Sequence, residues 1–353
     1  MARTLSFGKA IWEATDQCLA ADPSVYLMGL GVPDPGGIFG TTTALREKHG
    51  ANRVLDMPVA ENGMTGIAIG SAIMGMRPVM THQRVDFALL AMEQLVNQAA
   101  KWHYMFAGQA RVPLVVRLVI GRGWGQGPQH SQSLHSWFAH IPGLKVVAPF
   151  SPRDAKGLLA AAIRDDNPVV YLEHRWLHNI ADEVPEELYE TPIGKARIVR
   201  QGADVTLAAF SHMTYECLRA AEMLEQLGVQ AEVVDLRSLR PLDSDTLLAS
   251  VRKTGRLVAA ESDWSLCGVA GELVALAAER AFADLKAAPV RVTLPDHPLP
   301  TAPSLSKDYY PTAGDIAAAA LSQLGRADAP HALLYPESPR PHDVPDLSFK
   351  GPF

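Results

Sequence analysis

The sequence predicts an α/β protein built from parallel sheets with helices on both faces. Short apolar runs alternate with helix-period segments through residues 1–190, and the alternation starts again through residues 196–325. Strand, helix and strand in that order imply parallel pairing, because the crossover helix must cover a sheet face. Hydrophobic residues make up 48% and charged residues 20% of the 353 residues, so the chain has enough apolar surface to bury sizeable cores. At roughly 100–200 residues per domain, this length suits two domains.

In the first domain, residues 1–190, Ser24–Leu30, Val54–Ala60, Pro78–Thr81, Val112–Ile120, Leu144–Ala148 and Val169–Leu172 read as buried strands. Gly63–Met76, Ala88–Tyr104 and Pro152–Arg164 carry the helical period between them. A polar connector follows. The second domain, residues 196–325, has strands at Val205–Phe210, Ala231–Leu236, Leu257–Ala260 and Val290–Leu294. Its helices are Tyr215–Leu227, ended by Gly228 as a C-cap, then Ser244–Arg252 and Gly271–Leu285. Residues 326–353 are rich in Pro, His and Asp and read as an extended tail.

Several function classes drop out. The net charge of −6, without a Lys/Arg-rich run, implies no nucleic-acid surface. No apolar run approaches the ~18 residues of a membrane span, and the N-terminal segment lacks a signal-peptide pattern. Cys18, Cys217 and Cys267 are dispersed and odd in number. That argues against a disulfide framework or zinc site and for a reducing, cytoplasmic setting.

Four stretches carry candidate chemistry. A strand runs into Glu61 just before a helix, the place where ligands gather in parallel sheets. The bland reading is a carboxylate favoured by the helix dipole. Gly63, Gly66 and Gly70 lie on one face of that helix, and each costs up to ~1 kcal/mol against Ala, which a close contact across a subunit interface would offset. Phe87, at the start of the next helix, is by spacing alone a core aromatic. Gly121, Gly123, Gly125 and Gly127 form a loop that leads to His130; no GK[ST] follows, so it reads as an active-site loop rather than a phosphate loop. Ala162, Ile163, Asp165 and Asn167 end a helix before Pro168. Carbonyls and an Asp there suit either a monovalent cation or a capped helix–strand turn.

At these residues the sequence resembles the β subunit of the thiamine-diphosphate-dependent decarboxylase component of 2-oxo acid dehydrogenases, of the pyruvate, branched-chain and acetoin types. The strings VLDMPVAENGMTGIAIGSA, NQAAKWHYMFAGQ, QHSQS, HIPGLKVV and VVDLRSLRPLD carry it, in order, across nearly the whole chain. The resemblance implies a pyrimidine-binding thiamine diphosphate fold followed by a transketolase C-terminal-like domain. It implies an α2β2 heterotetramer in which the α subunit holds the diphosphate and Mg²⁺. It assigns Glu61 to the cofactor's aminopyrimidine nitrogen, Phe87 to packing on that ring, and His130 to the active-site histidine of the QHSQ loop, placed either to move a proton with the substrate or to steer the acceptor. It places a K⁺ site at Leu114, Ala162, Ile163, Asp165 and Asn167. GDG, the superfamily's diphosphate anchor, does not occur in this chain, in keeping with a partner that supplies it. Leu30 stands where such subunits carry an acid, Leu90 stands at another position where an acid can occur, and the loop IGRGWGQG is atypical. These departures leave three readings of the activity. The first is decarboxylation of a small 2-oxo acid with acyl transfer to a lipoyl acyltransferase. The second is transketolase-like C–C bond formation with an aldehyde or sugar. The third is a non-catalytic scaffold.

Overall fold

The structure, a computed structural model, describes residues 3–121, 126–306, 308–326 and 330–335. The chain divides into two compact units. One comprises Met1–Gly123 and Gln129–Ile193, and the other starts at Gly194 and includes Trp124–Pro128.

The first unit contains β1 (Val25–Met28), β2 (Val54–Leu55), β3 (Arg77–His82), β4 (Val115–Ile120), β5 (Lys145–Val147) and β6 (Val169–His174). They pair in the order β5–β6–β4–β3–β1–β2, all in parallel. Strands buried on both faces explain the near-continuous apolar runs in their sequences. The helix Phe7–Ala21 packs along Pro152–Arg164, and both seal one face of the sheet through Phe7, Ile11, Leu19, Leu158, Leu159 and Ile163. Each has a serine N-cap: Ser6 accepts from Lys9 N and Ser151 from Asp154 N. Lys156, fully buried, donates to Glu13 at 2.8 Å and to the carbonyls of Pro185 and Glu186 at 2.8 and 2.9 Å. Its charge is therefore matched and its donors are used.

The expected long helix 88–104 is not continuous. Val85–Ala88 is α-helical, Leu89–Ala91 is 3₁₀, Gln94–Ala99 is π-helical, and Ala100–Met105 returns to α. Apolar periodicity scarcely distinguishes these geometries, so the sequence shows one helix where the backbone changes pitch. π-Helical turns occur mostly near functional sites.

The second unit is a five-stranded sheet of β7 (Arg197–Arg200), β8 (Val205–Ala209), β9 (Ala231–Asp235), β10 (Leu257–Trp264) and β11 (Val290–Leu294). The order is β11–β10–β8–β9–β7, with only the edge strand β7 antiparallel. The helices His212–Gln226 and Ala313–Gln323 pack together on one face through Cys217, Ala221, Ile316 and Ala320. Gly228, at φ +72°, ends the first of these, and Val229 N returns to Leu224 O. Glu261 on β10 accepts from Val269 N at 3.0 Å and Ala270 N at 2.9 Å, capping the helix Val269–Arg280. Most of the tail 326–353 lies outside the described residues. Within it, His331–Leu334 forms a helical turn rather than extended chain: Leu334 joins the second core, and the Tyr335 hydroxyl donates to Asp315.

Candidate active site

Glu61, Phe87 and His130 each lie beyond the carboxyl end of a parallel strand, following β2, β3 and β4 respectively. That edge is where open parallel sheets place ligands. Glu61 opens the helix Glu61–Ile73 and is 4% exposed. The helix start has no side-chain cap, and Glu61 supplies the negative charge in its first turn. Its backbone carbonyl accepts from Thr65 Oγ1 at 2.7 Å, while its carboxylate has no hydrogen-bond partner among the described residues. That leaves the carboxylate open to a donor from outside this chain.

Phe87 and His130 meet directly. Their rings are 5.4 Å apart at 68°, an edge-to-face contact, although 43 positions separate the residue numbers 87 and 130. Phe87 is half-buried and His130 exposed. His130 Nδ1 lies within hydrogen-bond distance of Gln129 O, which makes Nδ1 the donor and leaves Nε2 for chemistry. The Glu61 helix packs against the Leu89–Ala91 and Gln94–Ala99 segments that follow Phe87, so all three residues belong to one region of the first unit. Residues 122–125 of the glycine loop, including Gly123 and Gly125, lie outside the described residues.

Residues that the sequence reading missed frame this region. Arg84 Nη1 donates to Gly121 O at 3.0 Å, and Gln132 Nε2 donates to Asp86 Oδ1 at 2.7 Å. Burial pushes the Asp86 carboxyl up, against the bond from Gln132 and the charges of His130 and Arg84. Beneath them lies a buried cationic cluster. Arg117 on β4 donates to both oxygens of Glu173 on β6, at 2.9 and 3.0 Å, and to Thr41 Oγ1 at 2.9 Å. Both members of the pair are completely buried. Burial drives Glu173 upward and the attraction of Arg117 opposes it. The guanidinium groups of Arg84 and Arg175 flank the Phe39 ring at 5.2 and 4.7 Å. Burial lowers each of these arginines to about 10, and Arg175 adds to the effect on Arg84. His82 falls to about 4 through burial, and His178 falls well below the usual histidine range through burial and the charges of Arg175, Arg117 and Arg84. A signal for the central pair was present: β4 and β6 each carry one charge in an otherwise apolar run, VVRLVI and VVYLEH.

The five positions assigned to K⁺ lie around one turn, and protein donors already engage four of them. Leu114 O accepts from Val169 N at 2.9 Å and Ala162 O from Asp165 N at 3.3 Å. Arg77 Nη1 donates to Ile163 O and Asp165 O at 3.1 and 3.0 Å. Asp165 Oδ1 accepts from Asn167 N at 2.9 Å, and Lys145 holds the other oxygen. These bonds describe a capped helix–strand turn. Each carbonyl keeps a second lone pair, so the donor chemistry still suits a hard monovalent cation. Among the described residues, no group of three or more His, Cys, Asp or Glu converges on a metal position.

The Gly-patterned helix face is open within the chain. Among the described residues, a Cβ at Gly63 or Gly70 would meet nothing within 4 Å, and one at Gly66 would reach only the Gln94 side-chain amide, with Oε1 at 3.4 Å. Val59, Ile67, Met74, Leu90, Tyr104 and Met105 are large apolar side chains exposed in the same unit. Of the two positions where such subunits can carry an acid, Leu30 is partly buried and Leu90 exposed.

The fold is that of a transketolase-like α/β protein. Residues 3–179 match the transketolase pyrimidine-binding domain and residues 194–316 the transketolase C-terminal domain. The chain is 46% identical over 330 residues to the acetoin:2,6-dichlorophenolindophenol oxidoreductase subunit beta of Cupriavidus necator, covering 91% of this chain and 97% of the relative. It is 44% identical to the mitochondrial pyruvate dehydrogenase E1 component subunit beta-2 of Oryza sativa subsp. japonica, covering 92% and 88%. A solved split-gene transketolase, described as an inactive β4 tetramer, shares the fold with a TM-score of 0.75 at 23% identity, over 92% of this chain and 99% of that one. The chain belongs to the family of β subunits of thiamine-diphosphate-dependent 2-oxo acid dehydrogenase E1 components.

Proposed function

We propose that this chain is the β subunit of an E1-type enzyme that decarboxylates a small 2-oxo acid and passes on the resulting acyl or aldehyde unit. The observation that carries this is Glu61, 4% exposed with no hydrogen-bond partner for its carboxylate among the described residues, at the same sheet edge as the Phe87–His130 ring pair. Bound there, thiamine diphosphate supplies the electron sink that decarboxylation requires. Glu61 would hold the pyrimidine ring nitrogen, Phe87 would pack on that ring, and His130 Nε2 would be placed to move a proton at the substrate carbonyl. The diphosphate and its Mg²⁺ fall to an α partner, in an α2β2 heterotetramer assembled over the open glycine face and its exposed apolar neighbours. A K⁺ ion at Leu114, Ala162, Ile163, Asp165 and Asn167 would use the second lone pairs of carbonyls already bonded within the chain.

Similarity to pyruvate and acetoin enzyme subunits supports lipoamide, on a lipoyl acyltransferase, as the acceptor. Leu30 in place of an acid keeps a second acceptor, an aldehyde or sugar, as the runner-up. A scaffold role is disfavoured, because Glu61, Phe87 and His130 are retained together. Three dispersed free cysteines support a reducing compartment, the cytoplasm; among the described residues, no helix is long and apolar enough to cross a membrane.

The test is reconstitution with the α partner. Glu61→Gln is expected to slow exchange of the cofactor C2 proton, followed by NMR, by about 10²–10³-fold. Near-normal exchange overturns the assignment.

A further inference from the structure

The catalytic reading assigns His130 a reaction but does not explain what holds it. His130 is exposed and follows a glycine-rich stretch of the chain. An imidazole that moves a proton must be held close to one geometry, and a displacement of ~1 Å costs about 10²-fold in rate.

Three hydrogen bonds meet at the neck of this loop. Gly121 N donates to Gln132 O at 3.2 Å and joins the two ends. Arg84 Nη1 donates to Gly121 O at 3.0 Å and ties the first end to the segment after β3. Gln132 Nε2 donates to Asp86 Oδ1 at 2.7 Å and ties the second end to the residue just before Phe87. Gly121 sits at φ +75°, where a Cβ would lie 2.2 Å from His174 Nε2, so the neck admits only glycine there. Gln132 is two residues from His130 and Asp86 is adjacent to Phe87, so one side-chain bond fixes the spacing of the two rings. Asp86 is partly buried, so water competes little for this bond.

We propose that Asp86 and Gln132, backed by Arg84, are positioning residues that hold the His130 ring edge-on to Phe87. They set the geometry of proton transfer at His130 and leave the Glu61 step alone. This rests on the proposed role of His130.

Gln132→Ala and Asp86→Ala, each in the reconstituted holoenzyme, are expected to lower kcat about 10²-fold, with C2-proton exchange and KM for the 2-oxo acid close to wild type. Asp86→Asn keeps an acceptor oxygen and is expected to restore most of the rate. The double variant Asp86→Ala/Gln132→Ala is expected to be no slower than either single, because one bond is lost in all three. A cofactor-free readout follows the His130 ring protons by histidine-selective NMR, assigned with His130→Gln. The ring-current shift from Phe87 is expected to vanish in Gln132→Ala. Wild-type kcat with an unchanged ring shift, additive losses, or an equal fall in C2-proton exchange would each overturn the proposal. If His130→Gln retains full activity, the catalytic reading fails instead, and the NMR shift still decides whether the tie positions the ring.

Discussion

The two α/β units follow the same strand–helix alternation but bury different polar groups. In the second unit, buried carboxylates serve backbone N–H groups, hydroxyls, or cations that reach in from the surface, as Lys253 reaches Glu232 and Arg219 reaches Glu216. Thr206, Ser250 and Thr254 share hydroxyl bonds at 2.8 Å, and Glu261 caps a helix. In the first unit, three guanidinium groups are buried in one cluster: Arg84 and Arg175 flank Phe39, Arg117 pairs with Glu173, and the charges of all three act on the His178 imidazole. Guanidinium nitrogens of Arg84 and Arg117 have no partner among the described residues. The first unit also exposes the longer set of large apolar side chains. Stability alone favours the second arrangement, since unpartnered buried donors cost free energy. The first is the pattern of a unit whose interior is arranged for chemistry and whose surface is arranged for partners.

The sharpest way to break this contrast is at the central pair. Arg117→Met strands the buried Glu173 carboxylate, and urea denaturation is expected to show a loss of about 3–5 kcal/mol. Pairing it with Glu173→Leu is expected to restore most of that loss. A small effect of Arg117→Met alone would mean that the first unit's charges are no more critical than the second unit's hydroxyls.

The pH dependence of stability is the next test. His82 is held at about 4 in the fold against 6.5 when free. As pH falls below 6.5, the unfolded chain takes up a proton that the folded chain refuses, so stability declines between 6.5 and about 4. A shift of that size corresponds to ~3 kcal/mol at the low end of the window. His82→Leu is expected to flatten the decline, measured as denaturation midpoints across that range. An unchanged slope would remove His82 from the account.

The surface half of the contrast carries the smallest effect. Gly70 has open space around it within the chain, so Gly70→Leu leaves the fold intact and obstructs a close approach by another subunit. Sedimentation of the reconstituted assembly is expected to show at least about tenfold weaker association, some 1.4 kcal/mol. Unaltered assembly would take this face out of the interface.

The strands and most helices were legible because doubly buried strands and amphipathic helices write different periods into the chain. The expectation that Glu61, Phe87 and His130 share a site came from motifs, and for Glu61 and His130 also from their neighbours, a strand end and a glycine-rich loop. Arg84, Asp86 and Gln132 were not. Gln132 finds Asp86 across 46 residues, and no local period records a bond between two loop ends. The π-helical turn at Gln94–Ala99 escaped for a related reason, since a one-residue change in hydrogen-bond register leaves the apolar pattern almost untouched.

By itself, then, the sequence determined two parallel α/β units, a carboxylate at the end of a strand and a histidine in a glycine loop, because these follow from local periodicity and short-range chemistry. Only the tertiary structure decided that His130 rests against Phe87, that Asp86 and Gln132 tie the loop which carries it, and that a cluster of arginines lies buried beneath. Those arrangements depend on distances between strand ends, which the sheet order sets and no single segment encodes.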